Sequence, residues 1–163
     1  MASAEQILRS LGDGSWENHI RELRTQHGKQ TAKFIASQVG VTADTARRWM
    51  SKAGILRSRK SAPNMANQNL IRNVIAAARL TGKTFYPGRV EVSSSTRPKD
   101  GNRRAVERIT GGIDGSAFGD AASYVAQGDY AGAGAAFDYA VMERYGGLGG
   151  SLFDCDYEGF RIQ

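Results

Sequence analysis

The sequence predicts a mainly α protein with a small β element, arranged as an N-terminal helix-turn-helix domain followed by a small α+β domain. Three observations predict it. Residues 31–54 read as two short helices around a sharp turn. Apolar side chains recur at helical spacing at Trp16, Ile20 and Leu23, and again at Leu70, Ile71, Val74, Ile75 and Ala78. Two short stretches, residues 89–93 and 153–158, instead alternate apolar and polar side chains with period two.

From the N-terminus, Ser3 followed by Gln6 has the spacing of a capping box, opening a short helix through Ile7, Leu8 and Leu11. Gly12-Asp13-Gly14 breaks it. Ser15 then caps a second helix, which Gly28 ends. His19 and His27 lie in or just after that helix. With no further ligand at suitable spacing, they read as surface histidines rather than a metal site. These elements are expected to pack behind the pair of helices that follows.

In that pair, Ala36 is small where two helices must touch, and Gly40 sits where the chain must turn and accepts φ > 0 at little cost. Val39 and Val41 flank the turn and can seal it from inside. Thr42 offers an N-cap hydroxyl, with Asp44 in the favourable first turn. Ala46, Trp49 and Met50 face inward at spacings of three and four, which leaves Thr45, Arg47, Arg48 and Lys52 outward. A helix of this kind places its N-terminal side chains in the DNA major groove and its basic residues against phosphates. Thr42, Thr45, Arg47, Arg48 and Lys52 are therefore the first candidate DNA contacts. After Gly54 comes a stretch without apolar period, containing Arg57, Arg59, Lys60 and Pro63. It reads as a basic arm along a phosphate strand or in a minor groove, or else as a solvated linker. The expected organisation is a helical DNA-binding domain over residues 1–56, a basic linker over 57–66 and an α+β domain over 67–163.

The second domain opens with a helix from about Asn67 to Gly82. Residues 84–86 and 89–92 follow as extended chain, interrupted at Pro87-Gly88, which suggests a bulge or an edge strand. Ser93, Ser94, Ser95 and Thr96, followed by Arg97, Lys99 and turn-forming residues, read as an exposed loop. Asn102 can cap a helix over residues 103–109, adding Arg103, Arg104 and Arg108 to the basic surface. Further on, Ser116 can cap a helix through Phe118, Ala121, Ala122 and Val125, and a second helix fits residues 129–145. Gly132 and Gly134 weaken its start, each by on the order of 1 kcal/mol relative to Ala. The glycines of residues 146–150 lack the preceding strand and following helix of a dinucleotide fingerprint. Phe153, Cys155 and Tyr157 alternate with Asp154, Asp156 and Glu158, giving a strand that can pair with residues 90–93. Its three carboxylates read as a solvated acidic face in preference to a Mg²⁺ site.

Charge divides along the sequence. Residues 1–60 hold 11 Lys/Arg against 5 Asp/Glu, residues 61–110 hold 9 against 3, and residues 111–163 hold 2 against 8, for a formal net charge of +6 overall. By charge, the first two-thirds is a polyanion binder. No apolar run approaches the roughly 20 residues needed to span a bilayer. The N-terminus lacks the features of a signal peptide, and the one cysteine, Cys155, excludes an internal disulfide. The expectation is a cytoplasmic, nucleoid-associated protein with no membrane partner.

In the order of its parts the chain resembles the terminal proteins of linear Streptomyces chromosomes and plasmids. The resemblance is carried by the helix-turn-helix with Ala36, Gly40, Val41, Arg47 and Arg48, by the basic stretch from Arg57 to Pro63, and by a helix, strand and hydroxyl-bearing loop up to Thr96. An Arg-rich segment, residues 103–110, and the acidic, aromatic end at residues 153–157 complete it. The resemblance implies protein-primed DNA synthesis. Such a protein binds double-stranded or telomeric DNA and works with a DNA polymerase and a telomere-associated protein. It also offers a hydroxyl as primer, here Ser93, Ser94, Ser95 or Thr96, with Thr84 and Tyr86 as weaker candidates. Arg97, Arg103 and Arg104 would follow DNA. The protein needs no cofactor of its own, because the polymerase supplies Mg²⁺, and it is not itself an enzyme. One rival shares the helix-turn-helix, a transcription or plasmid-copy regulator dimerising through residues 67–163; another is an architectural protein that coats DNA by self-association, the acidic last third of one subunit meeting the basic surface of the next.

Overall fold

The computed structural model describes residues 1–57, 59–94, 104–144 and 153–163. The chain is mainly helical with small antiparallel sheets. Its helices are α1 (Ala4–Ser10), α2 (Trp16–His27), α3 (Thr31–Val39), α4 (Ala43–Lys52), α5 (Met65–Gly82), α6 (Gly119–Ala126) and α7 (Tyr130–Arg144). Its strands are β1 (Ala2–Ser3), β2 (Thr84–Tyr86), β3 (Gly88–Ser94), β4 (Arg104–Ile109), β5 (Ile113–Asp114), β6 (Phe153–Glu158) and β7 (Arg161–Ile162). The chain divides into two compact units, Gly12–Ile75 and Met1–Leu11 with Ala76–Gln163. The division differs from the expected boundary at residues 57–66. Residues 1–11 do not join the helices that follow them, and the break falls inside α5.

The unit Gly12–Ile75 buries Ile20 and Leu23 of α2, Ala32 and Ile35 of α3, Ala46, Trp49 and Met50 of α4, and Ile71, Val74 and Ile75 of α5. Its helix ends follow local chemistry. Ser15 Oγ accepts the Asn18 amide at 3.2 Å, and Gly28 closes α2 with φ 55°. Asn64, rather than a residue near Asn67, starts α5, its Oδ1 accepting the Asn67 amide at 2.8 Å. His19 corrects the expectation of a surface histidine. It is buried, with Nε2 3.2 Å from the Asp13 carbonyl oxygen, so the ring serves the turn at residues 12–14. His27 is half-buried and stacks on Phe34 with ring centroids 3.8 Å apart.

The other unit is built around β6. The first sheet has the order β1-β6-β3-β4, and β6 pairs antiparallel with β3 through Val90↔Tyr157, Val92↔Cys155 and Ser93↔Asp154. That is the pairing expected from the two alternating stretches. The second sheet has the order β5-β2-β7. Residues 1–11 belong here for two reasons. Ala2 and Ser3 pair with Tyr157 and Asp156, and α1 packs on α7. The expected capping box holds, with Ser3 Oγ accepting the Gln6 amide at 3.2 Å and Gln6 Oε1 accepting the Ser3 amide at 2.9 Å. Gly134 is buried facing α1, where a Cβ would stand 3.4 Å from the Glu5 amide nitrogen, an ordinary contact distance, so packing alone does not require glycine there.

Three further expectations change. β3 is not an edge strand, because β4 covers its far side; the predicted bulge does occur, as a register shift between Gly88 and Val90. The segment expected as an Arg-rich helix over residues 103–109 is β4, paired through Val90↔Val106, Glu91↔Ala105 and Val92↔Arg104. Arg, Ala and Glu favour helices by less than about 1 kcal/mol each, and an open edge on β3 outweighs that. Asp114, not Ser116, caps the turn before α6, its Oδ1 accepting the Ser116 amide at 2.9 Å.

A buried polar cluster lies between α7 and β6. Asp138 falls on the inward stripe of α7 with Tyr130, Phe137 and Val141. Its Oδ1 accepts the Tyr157 hydroxyl at 2.7 Å, and its Oδ2 accepts the Cys155 amide at 3.1 Å. β1 ends opposite Asp156, one residue from Cys155, and the carboxylate takes the amide there. Burial pushes the Asp138 carboxyl from the ordinary 3.8 up to about 7, and the Cys155 thiol up to about 12. Between those two carboxyl values the folded chain keeps a proton that the unfolded chain releases. Stability therefore falls as pH rises from about 4 to 7, by at most about 1.4 kcal/mol per pH unit. Asp138→Asn preserves the shape of the protonated acid. Urea unfolding of the variant should lack this component of the slope, making it more stable than the parent at pH 8 relative to pH 5. Equal slopes would show that Asp138 keeps an ordinary pKa.

Candidate nucleic-acid interface

The candidate interface is the outer face of α4 with the stretch that follows it. Its geometry starts at the turn. Gly40 adopts the left-handed conformation at φ 80°, ψ 34°, and both its amide and that of Val41 reach the Ala36 carbonyl, at 2.9 and 3.2 Å. Val39 and Val41 are half-buried against the core of Gly12–Ile75. Thr42 stands in extended backbone as N-cap of α4, its Oγ1 accepting the Thr45 amide at 3.2 Å and lying 3.0 Å from Thr45 Oγ1. At the other end, Arg21 Nε donates to the Ala53 carbonyl at 3.1 Å, satisfying an acceptor just past α4.

The rotation of α4 is set by Ala46, Trp49, Met50 and Ala53, all at most 2% exposed. On the other side Thr42, Asp44, Arg47 and Lys52 are exposed, while Thr45 and Arg48 are half-buried. Arg48 pairs with Asp44 across one helical turn, Nη2 to Oδ2 at 3.0 Å. Ser51 is buried, with Oγ donating to the Arg47 carbonyl at 3.0 Å, so the face is interrupted there, while Lys52 beyond it is exposed.

The basic stretch is attached to this helix. The Ser61 amide donates to the Arg48 carbonyl at 3.3 Å, and Pro63 is buried. Arg57, Arg59 and Lys60 are exposed. Neither anchor was legible in a stretch without apolar period. Charge concentrates in the same unit, where Gly12–Ile75 holds 11 Lys/Arg against 4 Asp/Glu and the other unit 11 against 12. The sequence thirds obscured this, because part of the excess in residues 61–110 belongs with the acidic end.

The remaining candidates separate. Ser93 and Ser94 correct the expectation of a loop: both are residues of β3, opposite Asp154 and Phe153 of β6. Ser95, Thr96, Arg97, Lys99 and Arg103 lie outside the described residues, as do residues 145–152, and Arg104 opens β4. Thr84 is tied into β2, its amide and carbonyl both bonded to Gln163. Tyr86 lies half-buried with the Arg161 guanidinium 4.8 Å from its ring centroid. On the β6 face, Glu158 pairs with Arg89 at 3.5 Å, and among the described residues no group of acids, His or Cys could hold a metal ion. Among those residues too, no helix is long and apolar enough to cross a membrane. No protein-family model, curated protein or solved structure matches the chain.

The N-cap hydroxyl is the single side chain that starts the exposed helix. Thr42→Ala should lower the unfolding free energy by about 1 kcal/mol in urea denaturation, whereas Thr42→Ser should stay close to the parent. Equal losses in both variants would mean that the methyl contact, not the cap, matters at this position.

Proposed function

We propose that α3, its turn and α4 form a helix-turn-helix that binds double-stranded DNA, with α4 in the major groove and the segment carrying Arg57, Arg59 and Lys60 along the neighbouring backbone. The observation that carries this reading is the orientation of α4. Its apolar stripe is buried, and its outward face, with Arg47 and Lys52 exposed, is open on the unit that holds the chain's excess positive charge. The hydrogen bond from the Ser61 amide to the Arg48 carbonyl supports a basic segment that starts beside the helix, as a backbone-tracking arm requires. Binding to duplex DNA, followed by fluorescence anisotropy, should weaken steeply between about 50 and 200 mM salt. Arg47→Ala and Lys52→Ala should each weaken binding to every sequence and lower the salt slope by about one. Binding indifferent to salt and to both changes would reject the reading.

What the binding serves is a narrower proposal, drawn from the resemblance to terminal proteins: the chain primes DNA synthesis at the end of a linear replicon. Two parts of that resemblance have changed, since residues 104–109 form a strand and Ser93 and Ser94 belong to β3. The primer role passes to Ser95 and Thr96. In the reaction the hydroxyl oxygen attacks the α-phosphorus of a deoxynucleoside triphosphate. A phosphodiester forms, pyrophosphate leaves, and the hydroxyl proton passes to the polymerase site, whose Mg²⁺ stabilises the transferring group. Incubation with a polymerase and labelled deoxynucleotide should give a label that survives boiling in detergent and disappears in a Ser95→Ala, Thr96→Ala double variant that still binds DNA. Duplex binding without any label would favour a regulator, and binding that assembles with concentration would favour an architectural protein.

A further inference from the structure

The face of α4 carries more than positive charge. At 100° per residue, Asp44 and Arg48 lie within about 30° of the direction opposite the buried stripe, while Arg47 and Lys52 lie about 70° to either side. Over the first part of α4, before the buried Ser51, the central line of the exposed face is thus an acid and a base one turn apart, flanked by two cations. The acid is the side chain that a phosphate-binding surface does not explain. Asp44 is 68% exposed on a unit of formal charge +7, at the point that penetrates deepest if the helix enters a groove. Against phosphates it would only repel. Against base edges it has a partner, because a carboxylate accepts from the exocyclic amino group of cytosine, and a guanidinium donates in a fork to O6 and N7 of guanine. One G·C pair presents both edges side by side in the major groove. The Asp44–Arg48 ion pair already holds carboxylate and guanidinium together, 3.0 Å apart.

Resting on the DNA-binding reading above, we propose that Asp44 and Arg48 act as a unit that reads a single G·C base pair, with Arg48 on guanine and Asp44 both accepting from cytosine and aligning Arg48. Arg47 and Lys52 are left to the phosphates on either wall. Asp44 is also the element of discrimination. Its charge penalises placements in which α4 meets phosphate, or a base edge without a donor.

The test is selection of bound duplexes from a pool with a randomised central segment, using the full chain, followed by affinity measurements on the selected site and on the site with that pair changed. The parent protein should select a G·C pair at one position and lose roughly 5- to 150-fold in affinity when it becomes A·T, the range for a bidentate base contact. Arg48→Lys keeps the charge but not the fork, and should flatten that preference while leaving the salt slope unchanged. Asp44→Asn should flatten it too, and should tighten binding to unrelated duplexes. Both side chains are exposed or half-exposed, so thermal unfolding of the variants should shift by no more than a few degrees and separates loss of reading from loss of fold. Salt-sensitive duplex binding without a G·C preference, or a preference that survives both substitutions, would overturn the inference and leave the DNA-binding reading intact. Failure of the parent to bind any duplex would remove both.

Discussion

The rotation of α4 about its own axis is the constraint on which the functional surface depends. The ion pair on the outer face does little to fix it. The Asp44–Arg48 pair is solvent-exposed, and an exposed i,i+4 pair contributes only about 0.3–0.5 kcal/mol. On the inner face, burial of Trp49 and Met50 contributes roughly 1.5–3 kcal/mol each. Ala46, with no exposed surface, lets the helix come close enough for that burial to be complete. A turn of even one residue position would bring Arg47 or Arg48 into an apolar interior with no carboxylate to meet it, at a cost that the pair outside could not offset. The apolar side of the helix therefore determines which polar side chains reach a partner.

The same logic explains what could be read from the sequence and what could not. The turn at Gly40, the cap at Thr42 and the inward set Ala46, Trp49 and Met50 are all encoded within a dozen residues, and so were legible. The pairing of β3 with β6 was legible for a different reason: both stretches alternate with period two, and each has one apolar face that needs a partner. β4 was not legible, because its residues favour a helix when taken alone and become a strand only beside β3. The place of residues 1–11 was hidden in the same way. Their helix and capping box are local and were read correctly. Their partner, β6, lies some 150 positions away, and no local pattern names it.

Side-chain burial shows the same division between local and distant causes. Asp138 could have been found, since it falls on the stripe that contains Tyr130, Phe137 and Val141, and an acid at such a position must either be paired or hold its proton. His19 sits between Trp16, Ile20 and Leu23 on α2, yet it read as a surface residue because its partner is a backbone carbonyl in a glycine-flanked turn. The Asp44–Arg48 spacing was visible as an acid four residues before a base. The 3.0 Å contact between the two side chains was not, because it depends on the rotamers both adopt.

Charge links these points to function. Taken along the sequence, the basic excess covers the first two-thirds of the chain and invites a picture in which both domains hold DNA. Taken by compact unit, it is confined to Gly12–Ile75, and the unit with β6 is formally −1. Attraction to a polyanion is screened within about 10 Å at moderate salt, so it depends on where the positive charge is concentrated. The electrostatic footprint and the exposed half of α4 therefore belong to one insertion of 64 residues in the chain order.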